Sequence, residues 1–363
     1  MCVVGMIAEN DEVLNFRTAV SLNGGVEDWM NTILSEMQLS NRYISKKAIY
    51  DFGIHKECSR HSWIQSYPTM VVVVANQIWW TAQVEEVFSK IEGGNRDAMK
   101  EYLETQNVQL QSIVSLIRGE LTPRERQKLK ILTIIDIHAR DTIDGFVQDG
   151  VCDSQEFRWE RQLRFYWLKE FDNIVVVQCG GRFMYGYEYV GLTSRLVMTP
   201  QTDRIYLAIT QALTLNLSVA LEGGAGTGKT EIIKDLAKTM ALLCVVTNCG
   251  HGLDYPAFTA ILCGLVQCGV WGCFDEFNRI DITLLNVIST RLQAIRSALV
   301  MKTFHMIFDD REIQLDRKVG IFVTVHPAYL GRIELSQSIK SLFRPITCLA
   351  PDYEAICMIS LIS

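Results

Sequence analysis

Gly223-Gly224-Ala225-Gly226-Thr227-Gly228-Lys229-Thr230 stands between an apolar run, Leu217–Leu221, and a segment of helical periodicity that begins at Lys229. It satisfies the pattern G-x-x-x-x-G-K-[ST], and its flanks are the strand and helix that this P-loop pattern requires. The glycines let successive backbone N–H groups turn inward around phosphate oxygens, and the start of the following helix adds donors and a favourable dipole. In such a loop Lys229 reaches the β- and γ-phosphates, and Thr230 offers its hydroxyl to Mg²⁺. These eight residues are the candidate nucleotide-binding set, and ATP with Mg²⁺ is the ligand pair they imply.

Working outward, short apolar runs alternate with helical segments from about Leu196 onward, the spacing of parallel β-α-β units. Strands are expected at Leu217–Leu221, Cys244–Asn248, Val270–Phe274, Gly320–Thr324 and Pro345–Leu349, with helices after Lys229, Tyr255, Asp281 and Glu334. Between Met301 and Asp316 the pattern is that of a hairpin, with Phe304, Met306 and Phe308 alternating before a polar turn at Asp309-Asp310-Arg311. The set predicts an α/β fold, a P-loop NTPase parallel sheet with helices on both faces.

Val270-Trp271-Gly272-Cys273-Phe274-Asp275-Glu276 is an apolar strand that ends in two carboxylates. Ligands of open parallel sheets bind outside the carboxyl ends of the strands, where the P-loop also opens. Asp275 can complete the Mg²⁺ shell, and Glu276 can polarise a water for in-line attack on the γ-phosphate. Alone, such a pair reads as a solvated turn; joined to a P-loop at this spacing, it reads as catalytic. The strand Gly320–Thr324 leads to Val325-His326-Pro327, where His326 is either a γ-phosphate sensor or a surface histidine in a proline turn. Arg344, in Leu342-Phe343-Arg344-Pro345, is either a surface charge or an arginine finger presented to a neighbouring module.

The first half has a different texture. Amphipathic stretches run from Gln77 to Ile91 and from Asp97 to Arg118, beside one short apolar piece at Thr69–Ala75. Thr122-Pro123-Arg124-Glu125 is a helix start, with a Thr cap, proline at the first helical position and a Glu able to reach back. Its helix is expected to run to about His138. A second start at Asp153-Ser154 leads into an aromatic-rich helix from Phe157 through Leu168, followed by an apolar strand at Ile174–Val177. A mainly helical domain over 1–192 is expected, with the nucleotide-binding core over 193–363.

Composition narrows the partners. The 363 residues are 48% hydrophobic and 21% charged, enough apolar material for two moderate cores. A formal net charge of -6 gives no global reason to expect nucleic acid or an anionic membrane as a partner. Apolar runs such as Met70–Ala75 fall far short of the roughly 20 residues that span a bilayer. The start, Met1-Cys2-Val3-Val4-Gly5, has no basic segment of a secretory signal, so a cytoplasmic location is expected. Eleven cysteines with no Cys-x-x-Cys spacing predict free thiols rather than zinc ligands or disulfides, and most of the cluster Cys244, Cys249, Cys263, Cys268 and Cys273 sits in apolar surroundings that predict burial.

At this point the residues carry a resemblance. Trp271-Gly272-Cys273-Phe274-Asp275-Glu276-Phe277-Asn278-Arg279-Ile280 resembles the acidic strand block of the first AAA+ module of dynein heavy chains, and Gly226-Thr227-Gly228-Lys229-Thr230-Glu231 matches that module's P-loop. Upstream, Asp136-Ile137-His138-Ala139-Arg140-Asp141, Gln162-Leu163-Arg164-Phe165-Tyr166-Trp167 and Tyr185-Gly186-Tyr187-Glu188-Tyr189 resemble the distal part of the dynein linker. Thr199-Pro200-Gln201-Thr202-Asp203-Arg204 resembles the loop that borders the adenine, which makes Pro200 and Thr202 candidate nucleotide contacts. Gln77-Ile78-Trp79-Trp80-Thr81 is closer to the axonemal subfamily than to the cytoplasmic one.

The resemblance implies an ATP-driven, minus-end-directed microtubule motor of the ciliary or flagellar axoneme, a cytoskeletal location. Its partners are the remainder of a dynein ring and dynein intermediate and light chains. Microtubules are reached only indirectly, because the chain has no sustained heptads for a coiled-coil stalk. Read this way, the chain starts within the linker and stops before the lid of the first module. Two positions depart from the family: Gly224 stands where proline is common, loosening the loop, and His326 stands where asparagine is common, so its role depends on tautomer and charge. Two other readings stay open, a truncated non-catalytic nucleotide-binding protein that associates with dynein subunits and an independent AAA+ remodelling ATPase.

Overall fold

The computed structural model describes residues 2–54, 60–250, 254–326, 335, 337–350, 352 and 356–357. The chain divides into two units, Met1–Met198 and Thr199–Ser363. The first opens with an antiparallel hairpin, β1 (Cys2–Ile7) and β2 (Val13–Ser21). Helices follow: α1 (Val26–Ile54), α2 (Arg60–Ser66), α3 (Thr69–Glu92), α4 (Ala98–Ile117) and α5 (Pro123–Asp149). The one-turn α6 (Phe157–Glu160) then leads to an antiparallel sheet of β3 (Arg164–Leu168), β4 (Asn173–Gln178) and β5 (Gly181–Met184).

Four expectations about this unit are corrected. The opening hairpin was not foreseen: much of it is solvent-facing, with Val4 and Ile7 exposed, so its apolar alternation is weak. The piece Thr69–Ala75 is not separate but forms the first turns of α3, which Pro68 precedes as N-cap. The aromatic helix ends at Glu160, and Arg164–Leu168 is a strand, since bulky aromatics fit a pleated surface and its backbone pairs with Asn173–Gln178. The aromatics do build the core. Trp159 is fully buried, with ring centroids 5.4 Å from Trp80, 5.8 Å from Phe88 and 6.3 Å from Phe146.

The Thr122 start is found as a capping box: Glu125 N–H donates to Thr122 Oγ1 at 3.3 Å and Thr122 N–H to Glu125 Oε2 at 3.0 Å. The helix passes His138 and ends only where Gly150 adopts φ 68°, because Ile143 and Phe146 continue its buried face.

The second unit begins with α7 (Pro200–Thr214), whose N-cap Thr199 accepts from Thr202 N–H. There follow β6 (Ser218–Glu222), α8 (Lys229–Thr239), β7 (Cys244–Asn248), α9 (Tyr255–Cys268), β8 (Trp271–Asp275) and α10 (Ile282–Val300). The hairpin β9 (His305–Phe308) and β10 (Arg311–Gln314) precedes β11 (Gly320–Val325), α11 (Gln337–Lys340) and β12 (Phe343–Thr347). Five strands form one parallel sheet in the order β12-β6-β11-β8-β7. Its strand positions lie within two residues of those expected from sequence. Pro345 falls inside β12, an edge strand, where a missing N–H is tolerated. The hairpin turns on Asp309 and Asp310 at φ 53° and 61°, the twist that a two-residue loop requires. Phe304 precedes the hairpin's first strand and is exposed, while Met306 and Phe308 point inward. Glu334, the expected start of a helix, lies outside the described residues.

Side chains alternate across this sheet. Phe274, Ile321 and Val323 pack with Phe258 and Leu262 of α9 and with Leu285 and Ile288 of α10. Trp271 and Phe322 point to the opposite face, ring centroids 4.7 Å apart, on the side of α8. Each large buried side chain contributes roughly 1.5–3 kcal/mol, against about 0–1 for an exposed ion pair such as Lys234–Glu231. The core, not surface charge, sets where the strand ends lie.

Thr122→Ala is expected to lower stability by about 1 kcal/mol, with Thr122→Ser near the parent. The check is the urea midpoint at unchanged denaturant slope.

Candidate functional site

The P-loop leaves the end of β6 and closes onto the start of α8. Gly226 and Gly228 sit at φ 75° and 78°, which L side chains avoid, and a Cβ on either would meet nothing within 4 Å. The loop is therefore open on its outer side. At its base Gly223 N–H extends the ladder to Val325 O at 3.2 Å, and a Cβ on Gly223 would lie 2.4 Å from Cys348 O. Gly224, Ala225, Gly226 and Gly228 form the exposed rim. Lys229 is buried, and its Nζ donates to Gly223 O at 3.0 Å and Gly224 O at 2.6 Å. Thr227 Oγ1 donates to Gly224 O at 3.0 Å. Burial pulls the Lys229 ammonium below the ordinary lysine value, a pull opposed by Cys348 and by the carboxylates of Asp275 and Glu276.

The acidic strand end meets this loop across the sheet. Strand β11 lies between β6 and β8, with Thr324 opposite Leu221 and Val323 opposite Phe274. Asp275 Oδ1 accepts from Thr230 Oγ1 at 3.0 Å and from Thr324 Oγ1 at 2.5 Å. Glu276 follows in the left-handed region, φ 56° and ψ 44°, a conformation that costs a non-glycine residue roughly 1–2 kcal/mol. Its N–H donates to Thr324 Oγ1 at 2.9 Å. Its carboxylate pairs through Oε2 with Arg279 Nη1 at 2.6 Å, and its Oε1 lies 3.9 Å from His326 Nε2. Asn278 Nδ2 donates to His326 O at 3.0 Å.

Lys229, Thr230, Asp275, Glu276 and His326 thus share one end of the sheet. Pro200 is the first residue of α7, and Thr202 is buried with its Oγ1 2.9 Å from Thr199 Oγ1. The start of α7 is tied toward the loop's base, since Gln201 Nε2 donates to Leu349 O at 3.0 Å and Cys348 N–H donates to Glu222 O at 2.7 Å. Arg344 is not part of this gathering. It is exposed and pairs in register with Val219, three residues before the strand end at Glu222. Pro327 lies outside the described residues.

Thr324 and Arg279 were not singled out from the sequence. Thr324 stands there as the last residue of the strand Gly320–Thr324, and Arg279 as one residue of the block that follows Glu276, neither with a role of its own. The available signals were a hydroxyl at the carboxyl end of a buried strand and a cation three residues after a carboxylate.

The arrangement fits a triphosphate and Mg²⁺. The open glycine rim, the buried ammonium and the hydroxyl–carboxylate pair Thr230–Asp275 supply N–H, cationic and hard-oxygen groups in one place. Among the described residues no group of three or more His, Cys, Asp or Glu could hold a metal ion. The cysteines nearby are free thiols: burial pushes Cys249 up to about 12 and Cys244 up to about 11.

Residues 185–363 match the family described as the hydrolytic ATP-binding site of the dynein motor region. Over 361 residues, 99% of this chain, the sequence is 50% identical to dynein axonemal heavy chain 10 of Homo sapiens. It is 47% identical to the dynein-1-alpha heavy chain of the flagellar inner arm I1 complex of Chlamydomonas reinhardtii, again over 361 residues. Over 360 residues it is 39% identical to the ciliary dynein beta chain of Heliocidaris crassispina. The chain spans 8% of the length of each of these relatives. With a P-loop and an acidic strand end meeting on a parallel sheet, and with this similarity along nearly its whole length, the chain belongs to the dynein heavy chain family.

Proposed function

We propose that this chain is the ATP-binding and hydrolysing segment of an axonemal dynein heavy chain, contributing to minus-end-directed movement on microtubules in cilia or flagella. The observation that carries the reading is the meeting of Lys229, Thr230 and the Asp275-Glu276 pair at one sheet end, with Thr230 and Asp275 in direct contact. In this reading residues 1–192 are the distal linker and 193–363 the core of the first AAA+ module. The partners are the rest of the ring and dynein intermediate and light chains, with microtubules engaged indirectly. The location is the cytoskeleton of the axoneme. Among the described residues no helix is long and apolar enough to cross a membrane.

The residues divide the chemistry. Backbone N–H groups from Gly223 to Thr230 and the start of α8 hold the phosphates, and Lys229 exchanges its loop carbonyls for β- and γ-phosphate oxygens. Mg²⁺, when bound, neutralises charge that develops on those oxygens. Thr230 and Asp275 are the groups that would hold it. Glu276 takes the proton of the attacking water, so that water adds to the γ-phosphorus as the bond to ADP breaks, giving ADP and phosphate. His326, beside the Glu276 carboxylate, reports on the γ-phosphate, and Pro200 and Thr202 border the base. Arg344, exposed on the edge strand β12, faces outward as a finger for a neighbouring module.

Lys229→Ala is expected to abolish ATP binding in a fluorescent-nucleotide titration, and wild-type affinity would overturn the assignment. Glu276→Gln is expected to keep nucleotide affinity while single-turnover hydrolysis falls about 10²–10⁴-fold, the usual worth of a positioned base.

A further inference from the structure

We propose that Thr324 is a positioning residue for hydrolysis, its one buried hydroxyl setting both carboxylates of the site at once. The proposal rests on the reading of Asp275 and Glu276 given above.

The direction of the network follows from what each group can do. A backbone N–H only donates, so the bond from Glu276 N–H makes Thr324 Oγ1 an acceptor. The hydroxyl has one proton, and it goes to Asp275 Oδ1, where Thr230 Oγ1 also donates. Both hydroxyls fall on the same oxygen, which fixes the rotation of the Asp275 carboxylate. The threonine itself cannot drift: it is fully buried in β11, between the strand that feeds the P-loop and the strand that ends in the carboxylates.

The second bond acts on Glu276. That residue's left-handed backbone has to be held by its surroundings, and its N–H is tied to Thr324 while Asn278 ties the following turn to His326 O. Without the hydroxyl, the Glu276 N–H loses its acceptor and Asp275 Oδ1 keeps one donor of two. The turn is then free to leave the left-handed region and carry the Glu276 carboxylate with it. A misplacement of about 1 Å at a reacting group costs on the order of 10²-fold in rate. Thr324 touches neither substrate nor cation in this account and acts through its two neighbours.

The test compares wild type, Thr324→Val and Thr324→Ser in the complete heavy chain. Valine keeps the β-branch and volume and removes only the hydroxyl; serine restores it. For Thr324→Val the expected result is a fall in kcat of about 10–100-fold with nucleotide affinity unchanged. Amide exchange should quicken in the peptide covering residues 274–279, and peptides covering α8 and β11 should exchange as in wild type. Thr324→Ser should restore both kcat and exchange. Wild-type kcat and exchange in Thr324→Val overturn the proposal. So does an equal loss of protection across β6, β8 and β11 with weakened nucleotide binding, which would mark a residue that only holds the sheet. Failure of the underlying site reading shows separately, as wild-type turnover in Glu276→Gln, and the exchange measurement still tests the tie itself.

Discussion

Parallel pairing constrains everything in the second unit. Two parallel neighbours cannot be joined by a tight turn, so each strand must return through a crossover, and all carboxyl ends emerge on one side. In the order β12-β6-β11-β8-β7, the strand before the P-loop and the strand before Asp275 are not neighbours; β11 separates them. The two halves of the site therefore meet across the end of β11, where Thr230 reaches Asp275, and the side chain that β11 carries there lies against the acidic half. Thr324 occupies the place, its hydroxyl donating to Asp275 Oδ1 and accepting from Glu276 N–H, while Thr230 from the P-loop side donates to the same Asp275 oxygen.

The site combines groups that resist their positions. Lys229 loses solvation and is held by carbonyls of its own loop. Glu276 stands in a backbone region that few side chains adopt, and its charge is met by Arg279. These costs are small beside the packing of Phe274, Val323, Leu262 and Leu285 under the sheet, and that packing keeps the strand ends from relaxing. The same burial makes the neighbouring cysteines poor nucleophiles, since a desolvated thiol holds its proton. Cys249 and Cys273 fill space beside the site rather than react in it.

Legibility from sequence followed the range of the interaction involved. The P-loop was readable because its chemistry lies in eight consecutive residues, and the capping box at Thr122 because its partners are three apart. Strand positions in the sheet were close to those expected because short apolar runs bounded by turns mark them, most clearly in the central strands β8 and β11. The strand Arg164–Leu168 was misread as helix because its aromatic composition precedes a pairing with Asn173–Gln178 that periodicity alone does not reveal. The opening hairpin escaped for a similar reason: only Leu14 and Val20 of β2 are buried, too sparse a pattern to mark a strand before its pairing with β1 is known.

By itself the sequence determined the nucleotide-binding chemistry, the α/β class of the second unit and the resemblance that led to the family, because each is written in contiguous residues. Only the tertiary structure decided how the parts combine. It brought Thr230 onto Asp275, set Glu276 against Arg279 and His326, and left Arg344 exposed on the edge strand. It also placed Thr324, 48 positions beyond Glu276, at the centre of the site. Strand order carries no local signature, since it depends on which faces must be buried together, and so a hydroxyl that holds a motif 48 positions away becomes visible only when the sheet is assembled.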